Sequence, residues 1–461
     1  MAIYGILTLV VVLLSAVTRA SKLSADEVVI LIISQKDDHH SEMANNLRKL
    51  LQSEEPKLKI HLMHEDFDHP GAWTIIPVLK DISIIHGHNS SWLFICDSRT
   101  HIVLPALLDL LSHYNSSEET WIGHALVDEE RTIIHHFASN DGFKYPLFVS
   151  GFAMSTALLK RLGQRLSENE TYQQNFAIDA QYELAQFVWD GGKGPALVDT
   201  PFLCSKYRSM CATSPRLIRY CGDAVSRSHI YFAIKTCSKF HKDRVPVIKK
   251  TWGKFTGYME FYSDVADQNI PTINLGVPNT EVGHCAKTMS IIHNVALQPQ
   301  KYPTVKWIVI TDDDTILSVS RLQELLSCFK SDVPFLLGER YGFNIHMPHG
   351  GYNYVTGGGG MVLSLAAAQL IAKSTKCQCP DISTPDDMFL GSCATRLGIP
   401  IIHIPGFHQA RAEDYTTDYI ESHQPISFHK HWLIDPVHIY REWFAAADVI
   451  DPASQKLHTE L

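Results

Sequence analysis

The stretch Trp307-Ile308-Val309-Ile310-Thr311-Asp312-Asp313-Asp314-Thr315 decides how the chain is read, because an apolar run ends there in three consecutive carboxylates. Four bulky apolar residues in a row predict a strand buried on both faces, and acids at its carboxyl end fall where open α/β sheets bind ligands. Carboxylate oxygens suit Mg²⁺ or Mn²⁺, and an ion held by few protein ligands keeps positions free for the oxygens of a diphosphate. An isolated acidic triplet is more often a solvated turn that caps the next helix, so the weight of the reading rests on the rest of the chain.

A second copy lies upstream. In Trp92-Leu93-Phe94-Ile95-Cys96-Asp97-Ser98-Arg99-Thr100, Trp92 answers to Trp307, Asp97 to Asp312 and Thr100 to Thr315. A helical pattern follows each copy, with Leu104, Leu107, Leu108 and Leu111 on one face of the first and Leu322, Leu325, Leu326 and Phe329 on one face of the second. Val149-Ser150-Gly151 through Met154-Ser155 parallels Val355-Thr356-Gly357 through Met361 and Ser364, and Asp179 ahead of an apolar helical pattern parallels Asp387. Three segments repeated in order predict a duplicated α/β unit. The first copy carries Ser98 and Arg99 where the second has Asp313 and Asp314, and a guanidinium repels a cation. The amino-terminal half, residues 22–222, is therefore expected to be metal-free and catalytically inert, serving as scaffold or as a grip on an acceptor. Pro201, Ser214-Pro215 and Gly222 interrupt the pattern before a second domain expected over residues 227–448.

With 461 residues, 45% of them hydrophobic, the chain can build two cores, and a net charge of −9 gives no electrostatic footprint for nucleic acid. Residues 1–20, apolar from Ile6 to Leu14 and with small residues at Thr18 and Ala20, read as a cleaved signal peptide. The tail over 449–461 ends His458-Thr459-Glu460-Leu461, a degenerate form of the KDEL class that implies a retrieval receptor. Sequons at Asn89, Asn115 and Asn169, together with ten cysteines expected to form disulfides of open connectivity, agree on an oxidising compartment. The expected address is the lumen of the endoplasmic reticulum.

The second half carries the candidate chemistry. Strand-like Ile230-Tyr231-Phe232-Ala233-Ile234 leads into Lys235-Thr236 and a basic stretch with His241, Lys242, Arg244, Lys249 and Lys250, which suits either an anion site or a solvated helix face. Glu260-Phe261-Tyr262-Ser263-Asp264 reads as a second strand whose terminal acid can take a ribose or base edge. Thr356-Gly357-Gly358-Gly359-Gly360-Met361 lets backbone approach a ligand and lacks the ending of a P-loop, so it reads as a sugar-facing loop. In Ser383-Thr384-Pro385-Asp386-Asp387, Thr384 reads as helix cap and Pro385 as the first helical residue, with two acids in the first turn where they also favour the helix dipole. A transferase that inverts an anomeric centre needs a carboxylate distinct from its metal ligands as base, typically worth about 10²–10⁴-fold. Phe428-His429-Lys430-His431 offers imidazoles as further ligands.

These pieces in order make the carboxyl-terminal half resemble the fringe-like β-1,3-glycosyltransferases of glycosyltransferase family 31. The resemblance rests on Lys235-Thr236 with His241 and Arg244, Thr251-Trp252, Tyr262-Ser263-Asp264, the acid triplet, Thr356-Gly357-Gly358, Pro385-Asp386-Asp387 with Gly391, and Phe428-His429-Lys430-His431. It implies two tandem GT-A, Rossmann-like domains with the first degenerate, a UDP-sugar donor, Mn²⁺ and inversion. Carried over by motif, it makes Asp314 the principal metal ligand with Asp312 and Asp313 supporting it and His429 as a further ligand, and makes Asp387 the base. Thr236, Arg244, Asp264, Asp312, Asp313, Gly357 and Gly358 then fall against the UDP-sugar. The choices between Asp386 and Asp387, and between His429 and His431, stay open by one step. The layout as a whole is similar to family members that pass glucose from UDP-glucose to the 3-hydroxyl of O-linked fucose on thrombospondin type 1 repeats. A fringe-type enzyme using UDP-GlcNAc or UDP-galactose, or an inactive lumenal glycan-binding protein, is the alternative. The run of four glycines departs from the family pattern and bears on which sugar is used.

Overall fold

Each half of the chain opens on a six-residue strand, Val28–Ile33 (β1) and Ile230–Lys235, almost every side chain of which is buried. The computed structural model describes residues 23–454, except 68, 70, 139–141, 169–174, 217–220, 348 and 349. The expected signal peptide, the sequon at Asn169 and the His458-Thr459-Glu460-Leu461 ending lie outside the described residues.

In the first half, β1 joins β2 (Lys59–Leu62), β3 (Trp92–Asp97), β4 (Trp121–Gly123), β5 (Phe152–Ser155) and β6 (Val198–Asp199) in a sheet of order β6-β4-β5-β3-β1-β2. In the second, Ile230–Lys235 (β7) joins β8 (Tyr258–Ser263), β9 (Thr272–Asn274), β10 (Trp307–Asp312), β11 (Leu336–Gly338), β12 (Met361–Ser364) and β13 (Ile401–His403) in the order β9-β8-β7-β10-β12-β11-β13. The two orders match strand for strand once the edge strand β9 is set aside. The directions match as well, since β5 runs antiparallel between β3 and β4, and β12 antiparallel between β10 and β11, while the strands towards β2 and β8 are parallel. The fold is α/β with mixed sheets.

Continuous apolar strands are required because both faces of each sheet are covered. In β1, Val29 and Leu31 pack into one core while Val28, Ile30 and Ile32 pack into another. In β7, Ile230, Phe232 and Ile234 likewise face away from Tyr231 and Ala233. The helix over Leu104–Ser112 buries Leu104, Leu107, Leu110 and Leu111, so Leu110 takes the place expected for Leu108.

The register corrects the alignment of the two halves. Trp92 pairs with Ser155 and Trp307 with Ser364, and each serine accepts the N–H three residues on, from Leu158 and from Ala367, to cap the following helix. Counting back, Gly151 corresponds to Gly360 rather than Gly357, and Phe152 rather than Met154 to Met361. The two glycines share left-handed φ values of 76° and 103°, which is the physical constraint behind the match. The four-glycine run had offered a false local likeness. A second correction concerns the helix Asp386–Leu397, which begins at Asp386 with Pro385 as cap residue. Thr384 does not cap it; the Thr384 carbonyl instead accepts the N–H groups of His284 and Cys285.

The halves are bound to one another. The strand Phe176–Ala177 of the first half pairs with Arg340–Phe343 of the second, Trp73 Nε1–H donates to Asn353 Oδ1 at 3.0 Å, and Gln35 Nε2–H donates to the His403 carbonyl at 2.9 Å. Disulfides join Cys204–Cys211, Cys221–Cys328, Cys285–Cys379 and Cys377–Cys393, leaving Cys96 and Cys237 free and buried. At the far end Asp448 is fully buried, accepting from Ser318 Oγ, the Ser320 N–H and Tyr440 Oη, and Gln323 still reaches Asp451 at 3.0 Å. The second half is thus anchored slightly past the expected boundary at 448.

Candidate active site

Parallel pairing of β7 with β10 sets Lys235 beside Asp312, so both strands deliver charge at the same edge. The chain then turns through Asp313 and Asp314 into the short strand Thr315–Leu317, which pairs antiparallel with Ser427–His429. That pairing puts Thr315 opposite His429 and brings the imidazole to the acids across more than a hundred residues of sequence.

Asp312, Asp314 and His429 converge, with ligand atoms all within 4.8 Å of one another. His429 Nε2 lies 3.2 Å from Asp314 Oδ1 and 3.8 Å from Asp312 Oδ2. Its Nδ1 is 2.9 Å from the Gln409 carbonyl, which can only accept, so Nδ1 carries the proton and Nε2 is left to face the carboxylates. Gly358 makes room for the ring: a Cβ there would stand 2.2 Å from Nδ1. Burial alone raises a carboxyl's proton affinity, but the hydrogen bond and charge of His429 when its Nε2 is also protonated, with Arg244 beyond, hold Asp314 well below the usual carboxylate range. Two carboxylates and one imidazole with a fixed tautomer form a donor set that fits a divalent ion such as Mn²⁺.

Asp313 turns away from this group. Its Oδ2 accepts from Thr236 Oγ1 at 2.7 Å and its Oδ1 from Arg244 at 2.8 Å, and burial raises its proton affinity. Arg244 also lies 2.9 Å from Asp314 and stacks on Phe240 with its guanidinium carbon 3.7 Å from the ring centre. Asp264, at the end of β8, accepts the Ser238 N–H at 2.8 Å. Lys235, Thr236, Arg244, Asp264, the acid triplet and His429 together line a cleft of about 590 Å³, a size suited to a nucleotide sugar. Lys287 and His284 add further cationic or donor groups to its wall.

Two acids at the start of the Asp386–Leu397 helix stand beside it in different states. Asp386 is buried and accepts from Lys235 Nζ at 2.6 Å and from Thr288 Oγ1 at 2.5 Å. Lys235 also lies 3.0 Å from Asp312, so one buried ammonium ties the metal-ligand group to this helix. Against burial, the Lys235 charge holds Asp386 down to about 2. Asp387 is partly exposed and has no cationic partner among the described residues; it accepts from the N–H groups of Met388 at 2.7 Å and Gly357 at 3.3 Å. Burial and the neighbouring Asp386 charge push it up to about 6. A carboxylate near neutrality without a salt bridge is the form a general base takes.

Gly357 and Gly358, like Asp386 and Asp387, are not among the residues that line the cleft. The N–H groups of Gly358 and Gly359 are spent on Gln409 Oε1, at 2.9 and 3.1 Å. His431 stays outside the Asp312, Asp314 and His429 group, and its buried Nε2 has no hydrogen-bond partner among the described residues. Sequence reasoning did not assign roles to Lys235, Thr288 or Gln409. A lysine closing an otherwise apolar strand was a usable signal for the first; nothing local marks the other two. Asn89 and Asn115 are exposed.

The first half keeps an acid, Asp97, at the Asp312 position and departs at the other two ligand positions. By register Arg99 stands where Asp314 does, with Nε 2.9 Å from Asp97 Oδ1, and Pro215 pairs with Thr100 as His429 pairs with Thr315.

The family model described as Fringe-like matches residues 73–182 and 225–454. A β-1,3-glucosyltransferase of Mus musculus is 43% identical over 440 residues, covering 93% of this chain and 88% of its own length. The β-1,3-N-acetylglucosaminyltransferase manic fringe of Danio rerio is 27% identical over 205 residues, 39% of this chain and 56% of its own. A solved glycosyltransferase involved in glycosylation of the major capsid of PBCV-1 aligns with 46% of this chain and 98% of its own at 12% identity and a TM-score of 0.28.

Proposed function

Because this chain belongs to the fringe-like family and is a β-1,3-hexosyltransferase, we propose that it passes glucose from UDP-glucose, with inversion, to the 3-hydroxyl of O-linked fucose on thrombospondin type 1 repeats. The work is assigned to the second half, read as a GT-A domain, with the first half a degenerate, non-catalytic relative. The proposed setting is the lumen of the endoplasmic reticulum, reached by a signal peptide and kept by a retrieval receptor. The observation that carries the reading is the pairing of a convergent Asp312, Asp314 and His429 group with a neighbouring Asp387 that has no ion-pair partner among the described residues.

Asp312, Asp314 and His429 are the residues to hold Mn²⁺, which when bound supplies positive charge against the UDP that departs. Arg244, positioned by Asp313 and by Phe240, adds a fixed cation at the same wall. Thr236 is held by Asp313 at the cleft, and Asp264 offers a carboxylate for the nucleoside end. The acceptor oxygen forms its bond to the anomeric carbon as the bond from that carbon to the β-phosphate oxygen breaks, and the hydroxyl proton passes to Asp387. Asp386 is the less apt base, since Lys235 and Thr288 already occupy its carboxylate.

The test is transfer from a panel of UDP-sugars to a fucosylated thrombospondin repeat, with and without Mn²⁺. Turnover with UDP-glucose alone supports the proposal, and a preference for UDP-GlcNAc or UDP-galactose reassigns the donor. Binding of glycan without transfer from any donor returns the chain to a glycan-binding role.

A further inference from the structure

The carboxyl ends of β1 and β3 mark, in the first half, the same sheet edge that Lys235 and Asp312 mark in the second. A cavity of about 130 Å³ lies there, with Ile33, Asp97 and Arg99 contributed by the first half and Glu339, Arg340 and His403 by the second. It is distinct from the nucleotide-sized cleft, with which it shares no lining residue.

The charged groups around it are unevenly paired. Arg99 is satisfied by Asp97 at 2.9 Å, and Asp179, which also lines the cavity, is 2.9 Å from His135, an imidazole it shares with Asp128 at 2.6 Å. Glu339 accepts the Gln409 N–H, and burial pushes its carboxyl up to about 8, so it is largely neutral near pH 7. Arg340 is the cation of this group without a carboxylate partner among the described residues. Its guanidinium lies over the Trp73 ring at 4.6 Å and donates to Gln35 Oε1 at 3.1 Å, a neutral acceptor. Its buried Nε–H has no hydrogen-bond partner among the described residues, and no carboxylate there lies within ion-pair distance of it. A desolvated guanidinium without counter-charge is a costly arrangement unless an anion completes it. A second donor is directed by the fold: the Arg340 N–H donates to His403 Nδ1 at 3.2 Å, which leaves the proton of the neutral ring on Nε2.

We propose that this cavity between the halves is a metal-independent site for a small oxyanion, a carboxylate or phosphoryl group, received by Arg340 and His403. The planar fork of an arginine suits both groups, and the volume admits a few heavy atoms and not a nucleotide.

The test uses the full chain with inorganic phosphate and acetate as separate probes in titration calorimetry, repeated for Arg340→Met and Arg244→Gln. One probe or both should bind to the unaltered protein and to Arg244→Gln, and weaken about 30-fold or more in Arg340→Met, the scale of losing one partner of a buried charge-assisted bond. The probe that binds identifies the oxyanion. Arg340→Met is expected to fold, because an apolar side chain of similar length removes a half-buried charge that has no carboxylate partner. If it does not, His403→Gln supplies the second reading, with binding weakened while the melting temperature holds. Absence of binding by both probes, or binding lost in Arg244→Gln and kept in Arg340→Met, overturns the proposal. The result is independent of the donor assay, since neither probe involves UDP-glucose or Mn²⁺.

Discussion

Gly358→Ala is the sharpest perturbation of the candidate active site, because it changes one methyl group and touches one ring. The added Cβ would stand 2.2 Å from His429 Nδ1, 2.4 Å from Cε1 and 2.5 Å from Cγ. Non-bonded atoms of this kind settle at about 3.5 Å, so the imidazole must retreat by about 1 Å. Its 2.9 Å bond to the Gln409 carbonyl cannot survive that movement, and with it goes the constraint that leaves Nε2 facing Asp312 and Asp314. Loss of such an outer bond typically costs about 10–100-fold in metal affinity or activity. The assay is transfer rate against Mn²⁺ concentration, with Gly222→Ala as control, since a Cβ at that position meets nothing within 4 Å. We expect the half-saturating Mn²⁺ concentration to rise about 10-fold or more in Gly358→Ala and to stay unchanged in the control. An unaltered Mn²⁺ dependence in Gly358→Ala refutes the assignment of His429 to the metal.

Asp387→Asn should lower kcat by about 10²–10⁴-fold while leaving donor KM near its ordinary value, checked by steady-state kinetics. The raised proton affinity of Asp387 fixes the sign of the pH dependence: its basic form is lost as pH falls through about 6, so kcat/KM declines below that point. Asp386→Asn removes the adjacent negative charge and should move this acidic limb to lower pH, read from the same profile. Asp313→Asn loosens Thr236 and Arg244 and is expected to raise donor KM without shifting Mn²⁺ dependence, whereas Asp314→Asn shifts it. Leu110→Ala should cost about 2–3 kcal/mol in denaturant unfolding and Leu108→Ala distinctly less, because Leu110 is the one buried.

Much of this arrangement was legible in the chain because buried strands announce themselves. The apolar residues of Trp92–Asp97 and Trp307–Asp312 admit no other placement, and the acids at their ends follow from where the strands stop. The order of motifs also carried the family. What escaped depends on contacts between distant segments. Nothing near Thr384 reveals that its carbonyl is engaged by His284 and Cys285, or that the helix starts one residue later than its sequence suggests. The match of Gly151 to Gly360 is set by strand register and by backbone angles that four consecutive glycines conceal. The different states of Asp386 and Asp387 depend on Lys235, more than 150 residues upstream and invisible to any local pattern. The separation of Asp313 from its two neighbours likewise follows from Arg244 and Thr236, reached only once β7 and β10 pair.

The claim that the second half holds one divalent ion through Asp312, Asp314 and His429 is tested most directly by Mn²⁺ binding, followed by electron paramagnetic resonance on the full chain in the presence of UDP. The account predicts one tight ion per chain, lost in Asp314→Asn and in His429→Gln and retained in Arg99→Gln. A full complement of bound Mn²⁺ in the first two variants, or its loss in the third, contradicts it.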